Sequence, residues 1–213
     1  MARGREQSLR KGPRKGFRRQ FGLDRSGPPP RQTRPGQPLR PWTIPNAVGY
    51  LRLAGLPVFL YLALSSGDGR DPWAAVIFWL IAIGDYVDGF LARATGQYSR
   101  MGALLDPVVD RLTILCGAAV CWHFELLPRS ALAVLAVREL VTLVLAQVYL
   151  RRLGELEINW LGRIAVTPVM AAIFFAMVSE SWVWSAMLIV GVVLGVLGTI
   201  AYIRTGLRQL ATA

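Results

Sequence analysis

The chain has 213 residues, 54% of them hydrophobic and 17% charged, with a formal net charge of +11. That length leaves room for one domain, and the composition is that of a membrane protein rather than an ordinary soluble enzyme. The positive charge is unevenly placed, because residues 1–41 hold twelve Lys or Arg against only Glu6 and Asp24.

Residues 1–41 are also rich in Pro and Gly and have no apolar run, so a disordered tail is expected there. The segment is not a signal peptide, since it lacks the apolar h-region. A basic arm beside a membrane domain suits anionic lipid headgroups on the cytoplasmic side better than nucleic acid. Next comes Trp42-Thr43-Ile44-Pro45-Asn46, where Pro45 suits a helix start, Asn46 is a candidate cap and Trp42 belongs at headgroup level.

Apolar runs of roughly 20 residues, the length that crosses a bilayer, fall near 46–65, 72–92, 102–122, 130–150, 160–178 and 183–205. The expected fold is therefore an all-α integral membrane protein with six transmembrane helices over residues 42–213. A cytoplasmic N-terminus makes the loops after spans two and four cytoplasmic, and these hold Arg93, Arg100, Arg151 and Arg152. The opposite loops carry Asp68, Arg70 and Asp71, then Glu125 and Arg129, then Glu180, without basic excess. A multi-pass protein of the cell (cytoplasmic) membrane with both termini in the cytoplasm is thus expected. Cys116 and Cys121 lie five residues apart in span three and are assigned to packing, and the single His123 leaves no His-based zinc site.

The most specific stretch is Asp85-x-x-Asp88-Gly89-x-x-Ala92-Arg93, eight further residues, then Gly102-x-x-x-Asp106-x-x-x-Asp110. Residues three or four apart share a helix face. Asp85 with Asp88 and Asp106 with Asp110 thus form two carboxylate pairs, on antiparallel neighbours joined by a short link. Four carboxylates at hydrocarbon depth repel one another and are poorly solvated, a problem that divalent cations relieve. An all-oxygen donor set suits Mg²⁺ or Mn²⁺. Gly89, Ala92 and Gly102 leave space for a ligand to approach the backbone, and Arg93 supplies a forked cation for phosphate oxygens. Taken singly, each small residue is explained by close helix packing; their joint spacing with the four Asp residues points to a site.

These eight positions match the signature D-x2-D-G-x2-A-R-x8-G-x3-D-x3-D, and over residues 42–205 the chain resembles the CDP-alcohol phosphotransferase family. The resemblance implies a cytoplasm-facing polar cavity in which a substituted phosphate passes from a CDP-linked donor to an alcohol, with CMP released. It implies two divalent ions held by Asp85, Asp88, Asp106 and Asp110, with Asp110 as general base. It assigns Asn46, Gly89, Ala92, Arg93, Ser99 and Gly102 to the donor, and a homodimer is a further expectation. The strings Thr43-Ile44-Pro45-Asn46, Arg52-Leu53 with Pro57, and Gly102 through Arg111 resemble the members that use CDP-diacylglycerol, the bacterial phosphatidylglycerophosphate synthases and related cardiolipin synthases.

Arg138, Arg163 and Arg204 are candidates for the phosphate of an acceptor, with glycerol-3-phosphate the first choice and phosphatidylglycerol the alternative. Pairing of Arg138 with Glu139 and snorkelling of Arg204 are the ordinary explanations. Glycerophosphate-using synthases often show G-K-x-K-T where this chain has Gly162-Arg163-Ile164-Ala165-Val166-Thr167, and Ala165 in place of the second Lys weakens that first choice. A cation or proton transporter also keeps intramembrane Asp residues, but it predicts broken helices and inverted repeats that are not visible here. A purely structural protein has its best support in Gly191, Gly195 and Gly198, a small-residue face for intrachain or dimer contact.

Overall fold

The computed structural model describes residues 38–152 and 160–211. The basic tail therefore lies outside the described residues except for its last four. Regular structure among the described residues is helical throughout: α1 Ile44–Ser65, α2 Pro72–Thr95, α3 Arg100–His123, α4 Arg129–Arg152, α5 Trp160–Ala176 and α6 Trp182–Ala211. The helix starts have local causes. Thr43 Oγ1 accepts from the Asn46 amide at 3.3 Å, Asp71 Oδ1 from Ala74 at 2.8 Å and Ser99 Oγ from Gly102 at 2.9 Å, each satisfying an orphan donor of a first turn. Pro72 opens α2, where its missing amide costs nothing. Gly96, at φ +66, follows the last residue of α2 in the left-handed conformation that helix ends favour.

Thr43, and not Asn46, caps α1. Asn46 lies inside the first turn, and its buried side chain turns back on the preceding segment instead.

By length and composition, α1, α2 and the Trp182–Ala201 part of α6 are each able to cross a membrane, and α5 has the shorter apolar stretch Ile164–Ala176. α3 and α4 are interrupted by charge, Asp106, Asp110 and Arg111 in one and Arg138 and Glu139 in the other. Leu51, Tyr61, Leu80, Val137 and Val190 are exposed on helix faces, and Trp42, Trp73, Trp122 and Trp182 are exposed at or beside helix ends. That distribution suits a lipid-facing surface with aromatic girdles. The chain is a membrane protein.

The chain divides into two compact units, with breaks after Leu51, Ala82 and Pro107. The larger unit has one apolar core, in which Phe59, Phe78, Ile114, Leu132, Leu135, Ile173, Met177 and Leu188 are fully buried. The Phe59 and Phe78 rings lie 5.3 Å apart, and Gly117 sits so close to Phe78 and Ile173 that a Cβ there would come within 2.7 Å of each. A Cβ on Gly191 would lie 2.7 Å from Val169 Cγ2 and 3.2 Å from the Ala165 carbonyl, so α5 and α6 are packed backbone against backbone at this point.

Candidate active site

In the smaller unit, Asn46, Ser99 and Gly102 form one knot. Asn46 Nδ2 donates to the Arg40 carbonyl at 3.1 Å and to the Pro41 carbonyl at 2.9 Å, while its Oδ1 accepts from Ser99 Oγ at 2.8 Å. A Cβ on Gly102 would come 2.7 Å from Asn46 Oδ1, which explains why no larger residue stands there. The Met101 amide donates to Leu39 O at 3.1 Å, and the Ile44 amide to Gln97 Oε1 at 3.1 Å. The segment before α1 is thereby laced to the loop before α3. Two of the predicted donor residues, Asn46 and Ser99, thus have a structural task as tether and cap, a task that fixes where their oxygens lie.

Gly49 faces Leu105 and Asp106, with a virtual Cβ 2.8 Å from Leu105 Cδ2 and 3.9 Å from Asp106 Oδ1. Gly89 makes room for the guanidinium of Arg93 one turn on, whose Nη1 lies 3.3 Å from where a Cβ would be. Asp88 is buried, Asp85, Ala92, Arg93 and Asp106 are half-buried, and Asp85, Asp88, Arg93 and Asp106 are each engaged by a partner. Among the described residues, no group of three or more His, Cys, Asp or Glu side chains forms a ready metal cage. What fits a hard cation is the donor chemistry, carboxylate oxygen in two pairs at helical spacing.

Asp110 belongs to the larger unit, one turn beyond Asp106 on α3. Its Oδ1 accepts from Arg52 Nη2 at 2.5 Å. Arg52 is buried, and its Nε donates to the Ile81 carbonyl at 2.9 Å, which fixes the plane of the guanidinium. The neighbouring Arg111 reaches α4, where its Nη1 lies 2.8 Å from Glu139 Oε2 as a charge pair outside hydrogen-bonding angle. The other Glu139 oxygen accepts from Arg138 Nη1, and the Glu139 side chain is fully buried. Of the three predicted acceptor arginines, Arg138 is buried beside Glu139 and Arg204 is exposed on α6, while the Arg163 side chain lies outside the described residues.

Sequence reasoning gave Arg52 no role. A charge in an otherwise apolar span was the available signal. Arg111 carried the same signal one residue after Asp110.

The family profile for CDP-alcohol phosphatidyltransferase matches residues 42–197, which contain the whole carboxylate signature. The chain belongs to the CDP-alcohol phosphatidyltransferase family. It is 40% identical over 151 residues to a cardiolipin synthase (CMP-forming) of Streptomyces coelicolor, covering 68% of this chain and 70% of that relative. It is 34% identical over 124 residues to a putative cardiolipin synthase of Mycobacterium tuberculosis, covering 58% of each chain. It is 29% identical over 140 residues to a CDP-diacylglycerol–glycerol-3-phosphate 3-phosphatidyltransferase of Escherichia coli, covering 62% of this chain and 75% of that relative. The third of these relatives is named for CDP-diacylglycerol as its donor and the first for release of CMP.

Proposed function

We propose that this chain transfers a phosphatidyl group from CDP-diacylglycerol to phosphatidylglycerol, forming cardiolipin and CMP. The observation that carries the acceptor is the α5–α6 contact. Ala165 stands where glycerophosphate-using synthases often have a Lys, and it is buried, with its carbonyl 3.2 Å from where a Cβ on Gly191 would lie, a position that disfavours an unpaired ammonium. The 40% identity to a CMP-forming cardiolipin synthase supports the same acceptor. Glycerol-3-phosphate remains the second reading, favoured by the 29% identity to the Escherichia coli enzyme.

In this account the six helices cross the cell membrane with both termini inside, and the signature carboxylates work at the cytoplasmic side. The acceptor hydroxyl oxygen attacks the phosphatidyl phosphorus, the bond from that phosphorus to the CMP oxygen breaks, and the hydroxyl proton passes to Asp110. Arg52 holds that carboxylate through one oxygen and limits its rotation. Arg93, folded over Gly89, meets the diphosphate, and the knot of Asn46, Ser99 and Gly102 presents the backbone close to the nucleotide. Asp85, Asp88, Asp106 and Asp110 would hold the divalent ions, which supply charge neutralisation for the diphosphate and the leaving CMP. The test is product identity. Purified protein given CDP-diacylglycerol, Mn²⁺ and a phosphatidylglycerol with distinguishable acyl chains should yield cardiolipin carrying both sets of chains by mass spectrometry. Failure to form that product, with phosphatidylglycerophosphate made when glycerol-3-phosphate is supplied instead, would overturn the acceptor assignment.

A further inference from the structure

Two consecutive residues of α3 are held from different helices. Asp110 Oδ1 accepts from Arg52 Nη2 of α1 at 2.5 Å, and Arg111 Nη1 lies 2.8 Å from Glu139 Oε2 of α4. Successive side chains of a helix point about 100° apart, so the two contacts pull on α3 from different sides.

Each contact is anchored from behind. Arg52 Nε donates to the Ile81 carbonyl at 2.9 Å. Glu139 has a fully buried side chain whose other oxygen accepts from Arg138 Nη1, and Gly195 of α6 leaves room for that arginine, a Cβ there lying 3.1 Å from its Nε and Cζ. Both Glu139 oxygens face a guanidinium, which suits a counter-charge and not a base. A buried cluster of this kind is a poor source of stability, because well-packed apolar residues often do as well or better. Its place beside the proton acceptor is explained by the orientation it imposes.

Helix geometry says what that orientation is worth. Pro107 lies inside α3 and gives no amide to the helix ladder, so the stretch leading to Asp110 has one internal restraint fewer. A rotation of α3 by roughly 20° would carry an atom about 5 Å from the helix axis through about 2 Å. A misplacement of about 1 Å can cost on the order of 100-fold in rate. One contact leaves a pivot; a second contact on another side of the helix stops rotation about it.

We infer that Glu139 is a positioning residue for the transfer: through Arg111 it fixes the rotation of α3 about its axis, and so the direction in which Asp110 presents its carboxylate. The inference rests on Asp110 as the proton acceptor in the reading above.

The test follows CMP release from CDP-diacylglycerol by the full chain with Mn²⁺ and saturating phosphatidylglycerol or glycerol-3-phosphate, whichever the unmutated protein uses. Arg111→Met removes the contact and leaves Glu139 and Arg138 as a neutral pair, so folding is expected to survive. Its kcat should fall roughly tenfold or more while the KM for CDP-diacylglycerol stays within about twofold, and Arg111→Lys should recover much of the rate. Glu139→Gln should lower kcat likewise, and adding Arg111→Met to it should cost little more, because one interaction is lost in all three. Losses that multiply in the double variant would mean that the two residues act separately, and the inference would fall. A raised donor KM with normal kcat in Arg111→Met would also overturn it. An inactive Asp110→Asn beside a normal kcat in folded Arg111→Met would reject the positioning role alone; turnover by Asp110→Asn would reject the base, and the positioning role with it.

Discussion

Arg52 and Asp110 are 58 residues apart in the chain, yet Arg52 Nη2 lies 2.5 Å from Asp110 Oδ1. The arginine is itself held by the Ile81 carbonyl, so the carboxylate is fixed from α1 through a side chain that cannot swing. Arg52→Gln should lower kcat by roughly tenfold or more and cost about 1–3 kcal/mol of stability, the lower part of that range applying because Asp110 is 35% exposed. Arg52→Lys should recover part of the rate, since it restores charge without the fork. A normal kcat in folded Arg52→Gln would show that Asp110 needs no such support.

Asp110→Asn keeps an acceptor oxygen for Arg52 and removes the group that takes the proton. The variant should bind a CDP-diacylglycerol analogue with ordinary affinity while CMP release falls by at least about 100-fold. Substantial turnover by this variant at neutral pH would remove Asp110 from the mechanism.

Gly191 tests the α5–α6 contact on which the acceptor assignment rests. Gly191→Ala places a methyl group 2.7 Å from Val169 Cγ2 and 3.1 Å from the Val169 amide nitrogen, and only the first of these can shift easily. Overpacking of this kind should cost roughly 1–3 kcal/mol, read as a lower Tm in detergent. Ala165→Lys should lower Tm further and should not create use of glycerol-3-phosphate. An unchanged Tm in both variants would mean that the helices are not packed this closely.

The helices were legible as apolar runs, and the carboxylate signature as fixed spacing, because both are local patterns. The partners of those carboxylates were not. Arg52 announced itself only as a charge within an apolar run, and nothing in the linear order says that it meets Asp110. Arg111 and Glu139 pair across α3 and α4 for the same reason without a sequence trace, although the adjacency of Arg138 and Glu139 was readable. Asn46 looked like a cap because it follows Pro45. Thr43 takes that place, since a cap must precede the first turn, and Asn46 is free to tie Ser99 to the segment before α1. The glycines of α6 looked alike, yet Gly191 meets α5 and Gly195 meets Arg138. Only the helices across from them distinguish the two.

Deletion of residues 1–37 should leave CMP release in neutral detergent unchanged, because no signature residue lies there. Insertion into anionic liposomes during cell-free synthesis should fall, and high salt should erase the difference, since each basic residue near an anionic surface contributes on the order of 1 kcal/mol. A folded truncated protein without CMP release would make the tail part of the site.

The most direct measurement is CMP release by the purified, unmutated chain given CDP-diacylglycerol and Mn²⁺, with phosphatidylglycerol and glycerol-3-phosphate offered separately and then without either. Fast release with phosphatidylglycerol, little with glycerol-3-phosphate and none after chelation is the expected result. Release that needs no divalent ion, or that follows glycerol-3-phosphate and ignores phosphatidylglycerol, would contradict the account.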